Sequence, residues 1–116
     1  MRWRPTTNEV LPKSFGEIVS NHQLIVFHFW ASWNAYDRHM DAALATLQYE
    51  YEGRIFFGSV DADNQENWQL CRELGVVNLP ALAFFANGKH LETVIGMRPK
   101  ENLSQKMEKW TIASRA

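Results

Sequence analysis

The sequence predicts an α/β fold, a mixed central sheet with helices on both faces, within a single chain of 116 residues. Three observations carry that expectation. Leu24 to Trp30 is a nearly unbroken run of β-branched and aromatic residues, the pattern of a strand buried on both faces. Tyr36, Met40, Leu44, Leu47 and Tyr51 recur at three- and four-residue steps, the period of a helix with one apolar face. Asn87-Gly88 separates two further apolar runs, and both positions tolerate the positive φ that a two-residue hairpin needs.

Taken in order, residues 1–13 set Trp3, Pro5 and Pro12 among polar residues without a period, and read as an N-terminal extension with at most one short edge strand. Residues 14–116 form the domain. A short amphipathic helix is expected from Ser14 to about Asn21, with Ser14 as N-cap, Glu17 as its capping-box partner, and Phe15, Ile18 and Val19 on one face. After the central strand, a long helix should run from Ala35 to about Tyr51, favoured by Ala42, Ala43 and Ala45 and stopped by Gly53. Arg54 to Val60 is a second apolar strand, leading into Asp61-Ala62-Asp63. Trp68, Leu70, Cys71 and Leu74 fit a short helix closed by Gly75, which places Cys71 on its apolar side. Ala81 to Phe85 and His90 to Ile95 are the hairpin strands, and a terminal helix from Pro99 carries Leu103, Met107, Trp110 and Ile112. A strand-helix-strand unit implies parallel pairing by a right-handed crossover, whereas the hairpin adds antiparallel strands. The sheet is therefore expected to be mixed.

Composition narrows the function classes. The chain is 46% apolar and 22% charged, as an ordinary globular domain is. A formal net charge of -1 supplies no attraction to nucleic acid or to an anionic membrane. The longest apolar stretch, Leu24 to Ala31, is interrupted by His28 and is too short to span a bilayer, and the first residues lack the apolar core of a secretory signal. A soluble, cytoplasmic protein is expected. Its one cysteine, Cys71, excludes an intramolecular disulfide.

Several strings, in this order and at these spacings, point to one family. Phe29-Trp30-Ala31-Ser32-Trp33, Asp61-Ala62-Asp63, the segment from Val76 to Leu82 centred on Leu79-Pro80, Asn87-Gly88-Lys89 and Gly96 together resemble the thioredoxin family across residues 14–112. The resemblance implies a thioredoxin-like three-layer sandwich and a proline at Pro80 that is cis in the family. It also marks a departure. Where thioredoxins carry Cys-Gly-Pro-Cys, this chain reads Asn34-Ala35-Tyr36-Asp37, and neither Asn34 nor Asp37 can form or exchange a disulfide. The buried acidic residue that the family places on its central strand falls at His28, and a lysine often found on the next strand falls at Ser59. The proton-handling positions have changed along with the thiols, as in a natural redox-inactive lineage.

The replacement residues have structural roles open to them. Asn34 suits a helix N-cap, and Asp37 places an anion in the first turn, where the helix dipole favours it. Asp37 and His39, with His28 beneath, raise the alternative of a metal site or an acid-base pair. Residues two apart on a helix point in different directions, however, and the spacing matches no ligand motif, so no metal and no cofactor are expected. Cys71 reads as a small buried hydrophobe. By resemblance, Trp33, Ala35, Tyr36, Val77, Leu79 and Pro80 converge where thioredoxins dock extended polypeptides through apolar contacts and backbone hydrogen bonds. The expected function is a non-catalytic module that binds a protein or an extended polypeptide through this former active-site groove. The alternatives are a residual one-cysteine or non-thiol activity, and a structural assembly subunit that relies on its N-terminal extension and terminal helix. Trp3 and Trp110 are expected to cover the core or to mediate self-association.

Overall fold

The apolar run Leu24–Trp30 takes the centre of a five-stranded sheet in the computed structural model, which describes residues 3–115. The strands are β1 (Asn8–Glu9), β2 (Leu24–Trp30), β3 (Phe56–Asp61), β4 (Ala81–Ala86) and β5 (Lys89–Ile95). The helices are α1 (Phe15–Asn21), α2 (Ala35–Glu50), α3 (Trp68–Glu73) and α4 (Lys100–Ala113). The strand order is β1-β3-β2-β4-β5, with β2 parallel to β3 and antiparallel to β4. This is the mixed sheet that the sequence predicts.

Alternation along β2 divides the core into two layers. Leu24 and Val26 pack with Met40, Leu44 and Leu47 of α2 and with Leu103 and Met107 of α4. Ile25, Phe27 and Phe29 face the other way, toward Phe15, Ile18 and Val19 of α1 and Leu70 of α3. Helices therefore cover both faces, giving a three-layer sandwich. At the hairpin, Asn87 (φ 53) and Gly88 (φ 80) both adopt positive φ, as a tight two-residue connection demands.

Residues 3–13 are tied to this unit. β1 pairs in parallel with β3, Val10 is buried in the core, and the Thr6 N–H donates to Asp41 Oδ1 at 2.9 Å. Gly58 permits the approach, because a Cβ there would lie 2.7 Å from Val10 Cγ2 and 3.1 Å from Phe27 Cδ1. Trp3 meets Trp30 edge-on, with ring centroids 5.5 Å apart, and Trp110 packs on the α4 side with its Nε1 donating to Glu92 at 2.7 Å. Both indoles serve as cover for the core.

Three local expectations are revised. The Ser14 cap does not form, because a 3-10 turn over Pro12–Ser14 leads directly into α1 and holds Ser14 at helical φ and ψ rather than in the extended conformation of an N-cap. On α4, Ile112 is exposed and Thr111 takes the buried position, its Oγ1 donating to the Met107 carbonyl at 2.7 Å. On α2, Tyr36 is exposed, and the inward stripe begins one residue later at Asp37.

Candidate functional site

The turn between β2 and α2 is built by its own side chains. Asn34 has extended backbone (φ -96, ψ 109), and its Oδ1 accepts the Tyr36 N–H at 2.9 Å, which caps α2 as its sequence position suggests. The other half of the carboxamide reaches across the site. Asn34 Nδ2 donates to the carbonyl of Leu79 at 3.3 Å, fastening the start of α2 to the loop that precedes β4. The Leu79–Pro80 peptide in that loop is cis, and the Leu79 N–H donates to Asn78 Oδ1 at 2.9 Å.

Asp37 is not a solvated anion at the helix start. It is fully buried, and its Oδ1 lies 2.8 Å from Nε2 of His28, itself only 1% exposed. Its Oδ2 accepts the Ala31 N–H at 3.1 Å. An ionised carboxylate accepts only, so with Asp37 in that form the donor of this bond is His28 Nε2. Two buried side chains nine residues apart are thus hydrogen-bonded across the β2–α2 interface. Ser59, also buried, donates from Oγ to the Asn8 carbonyl at 3.3 Å and so braces β1. His39 is exposed whereas the pair is buried, and no cluster of three metal-ligating side chains occurs among the described residues.

Around this turn the surface is aromatic and apolar. Trp33 is 70% exposed, Tyr36 62% and Val77 85%, whereas Pro80 is buried and offers no open surface. Trp33 is oriented by its Nε1, which donates to Asp63 Oδ1 at 3.2 Å. Ala35 is also exposed. Val77 and Leu79 line a cavity of about 300 Å³ together with Ala62, Trp68, Cys71 and Arg72, while Trp33, Ala35 and Tyr36 lie outside that lining. The sequence reading did not single out Asn78 or Arg72. Neither has a motif to flag it: Asn78 is placed by the path of the loop before β4, and Arg72 by its exposed position on α3.

Cys71 departs from the buried hydrophobe expected of it. The short α3 buries none of its six residues, so the thiol is half-buried at the wall of this cavity. Burial raises its pKa above the ordinary thiol value. The folded chain should therefore react with iodoacetamide more slowly than the urea-unfolded chain at pH 7.5, with the gap narrowing as the pH rises through the folded pKa. The unfolded chain releases this proton first, so the thiol's contribution to stability is present below the unfolded pKa and declines as the pH rises above it. Equal alkylation rates in the two states would contradict the expected shift.

Comparison with known proteins resolves the lineage. The thioredoxin family model matches residues 6–109. The chain belongs to the thioredoxin family. It is 31% identical over 93 residues to thioredoxin 1 of Nostoc sp., covering 80% of this chain and 85% of that one. It is 29% identical over 106 residues to the thioredoxin of Porphyra purpurea, covering 90% and 97%. Among solved structures, oxidised mitochondrial thioredoxin 3 from Saccharomyces cerevisiae superposes with a TM-score of 0.79 at 19% identity, over 90% of this chain and 95% of that one. At that identity the likeness speaks for the fold, a thioredoxin sandwich. The two positions that the sequence resemblance matches to the family's thiols hold a capping asparagine and a buried aspartate.

Proposed function

We propose that this thioredoxin-fold protein is non-catalytic in dithiol chemistry and binds a partner protein through the groove at its former redox site. The names of its relatives favour an oxidoreductase, but disulfide exchange between paired thiols requires two, and this chain has Cys71 alone. The observation that carries the reading is the combination at one site: Asn34 and Asp37 are consumed by bonds internal to the fold, while Trp33, Tyr36 and Val77 stay exposed beside them. Exposed aromatics grouped on one face are the side chains that anchor protein interfaces. A cytoplasmic setting and a protein partner, with neither nucleic acid nor a membrane surface, accord with a net charge of -1 and a chain without a disulfide.

Two measurements test this. Insulin reduction by dithiothreitol should proceed at the uncatalysed rate in the presence of the protein, and clear acceleration would establish a residual one-cysteine or non-thiol activity instead. In affinity capture from the native host, changing Trp33, Tyr36 and Leu79 together to alanine should abolish recovery of the partner. Undiminished recovery would move the interface away from the groove.

A further inference from the structure

We infer that Trp3 is the displaceable occupant of a seat for an aromatic side chain, formed by Trp30 and Arg38, into which a docking partner delivers a tryptophan or tyrosine of its own. The inference rests on the groove reading for its partner and adds a point of recognition outside the groove. Trp3 meets Trp30 edge-on with ring centroids 5.5 Å apart, and the Arg38 guanidinium carbon lies over the Trp3 ring, 5.8 Å from its centroid. One neighbour offers a ring and the other a cation, so the seat favours an aromatic side chain over an aliphatic one. Its position is set by the end of the sheet. Trp30 pairs with Asp61 at the end of β3, and Asp63, two residues on, holds the exposed Trp33 through its indole N–H. The seat therefore lies on the Trp33 side of the site.

The present occupant is lightly held. Residues 3–5 belong to no helix or strand, Pro5 has no N–H to donate, and the Arg4–Glu9 ion pair at 3.0 Å is exposed and adds little. Firm attachment begins at Thr6. Its N–H and Oγ1 both donate to Oδ1 of the buried Asp41, at 2.9 and 3.2 Å, and the attachment continues through β1 to the buried Val10. Trp3 can thus swing out ahead of Thr6 while the sheet edge stays in place. Seated, it competes with an incoming ring; released, it opens Trp30 and Arg38 together. The contact is autoinhibitory.

The test titrates N-acetyltryptophanamide into the wild-type chain and into full-length Trp3→Ala, following the Trp30 indole N–H by NMR. The variant keeps Thr6, β1 and Val10, so a cooperative urea transition should persist. It should bind the probe about tenfold more tightly than wild type, the factor by which an edge-on ring contact and a cation–π contact keep the seat closed. Adding Arg38→Gln to Trp3→Ala should weaken binding about threefold, and N-acetylleucinamide should bind neither protein measurably. A further arm needs no substitution. In fluorotryptophan-labelled wild type, the Trp3 resonance should move toward its position in the urea-unfolded chain as the probe is added, while the Trp110 resonance stays put. Equal affinity of wild type and Trp3→Ala, undiminished affinity in the double variant, equal binding of the leucine probe, or an unmoved Trp3 resonance would overturn the inference. Failure here is separable from failure of the groove reading. If the triple alanine variant loses the native partner while Trp3→Ala gains no probe affinity, only the seat falls. If the triple variant keeps its partner while Trp3→Ala gains, the groove is wrong and the seat stands as a site of its own.

Discussion

Replacing Asp37 by alanine is expected to lower the folding stability by about 3 to 5 kcal/mol, read as a shift of the urea midpoint. The carboxylate is fully buried and accepts both His28 Nε2 at 2.8 Å and the Ala31 N–H at 3.1 Å. Its removal strands a buried imidazole donor and a backbone amide, which costs far more than the net value of either bond. A domain of this size has a total stability of about 5 to 15 kcal/mol, so the variant would approach its unfolding threshold. The energetic signature is non-additivity. His28→Leu/Asp37→Leu should lose less than the sum of the two single leucine variants, because the double variant removes both partners together and fills the space with apolar atoms. An Asp37→Ala protein that unfolds at the wild-type urea concentration would mean that the pair contributes nothing.

A loss of similar size, with a different local signature, is expected on the other face of the sheet. Phe27 is fully buried and meets Phe15 and Phe85 at ring-centroid distances of 4.6 and 5.5 Å. Phe27→Ala should cost about 3 to 5 kcal/mol through lost apolar burial and the cavity left behind. Phe15 lies on α1, so this cavity opens beneath a helix of only seven residues that has no side-chain cap. Amide exchange should accelerate in α1 more than in α2. Phe27→Leu, which restores most of the volume, should cost about 1 kcal/mol and leave α1 protected. Uniform acceleration across both helices would show that α1 is held by other contacts.

The fold was legible because its elements announce themselves locally. The unbroken apolar run of β2, the helical period through Met40, Leu44 and Leu47, and the Asn87-Gly88 turn each reflect a short-range requirement, and all are met in the structure. Asn34 as a cap was legible for the same reason, since an N-cap is decided within three residues. The His28–Asp37 bond was not, because it joins two elements, and a carboxylate in a first helical turn has an ordinary solvated explanation. A signal did exist. Asp37 lies three residues before Met40 and seven before Leu44, and Asp41 four after Asp37, so both acids sit on the apolar stripe and both are buried. Reading the stripe from Tyr36 instead of Asp37 turned the wrong residue inward. The Asn34–Leu79 contact had no signal at all, being set by how two loops meet.

The two ends of the described chain leave the sheet at opposite poles. Trp3 rests on Trp30 at the same end of β2 as the groove, whereas the Ser114 carbonyl accepts from Gln23 at 2.6 Å, just before β2 begins. A sensor surface or affinity resin should therefore be coupled beyond Arg115. Anchored there, the molecule presents the Trp33 face outward to an analyte, while a bulky tag ahead of Trp3 would crowd that face and could be mistaken for weak binding.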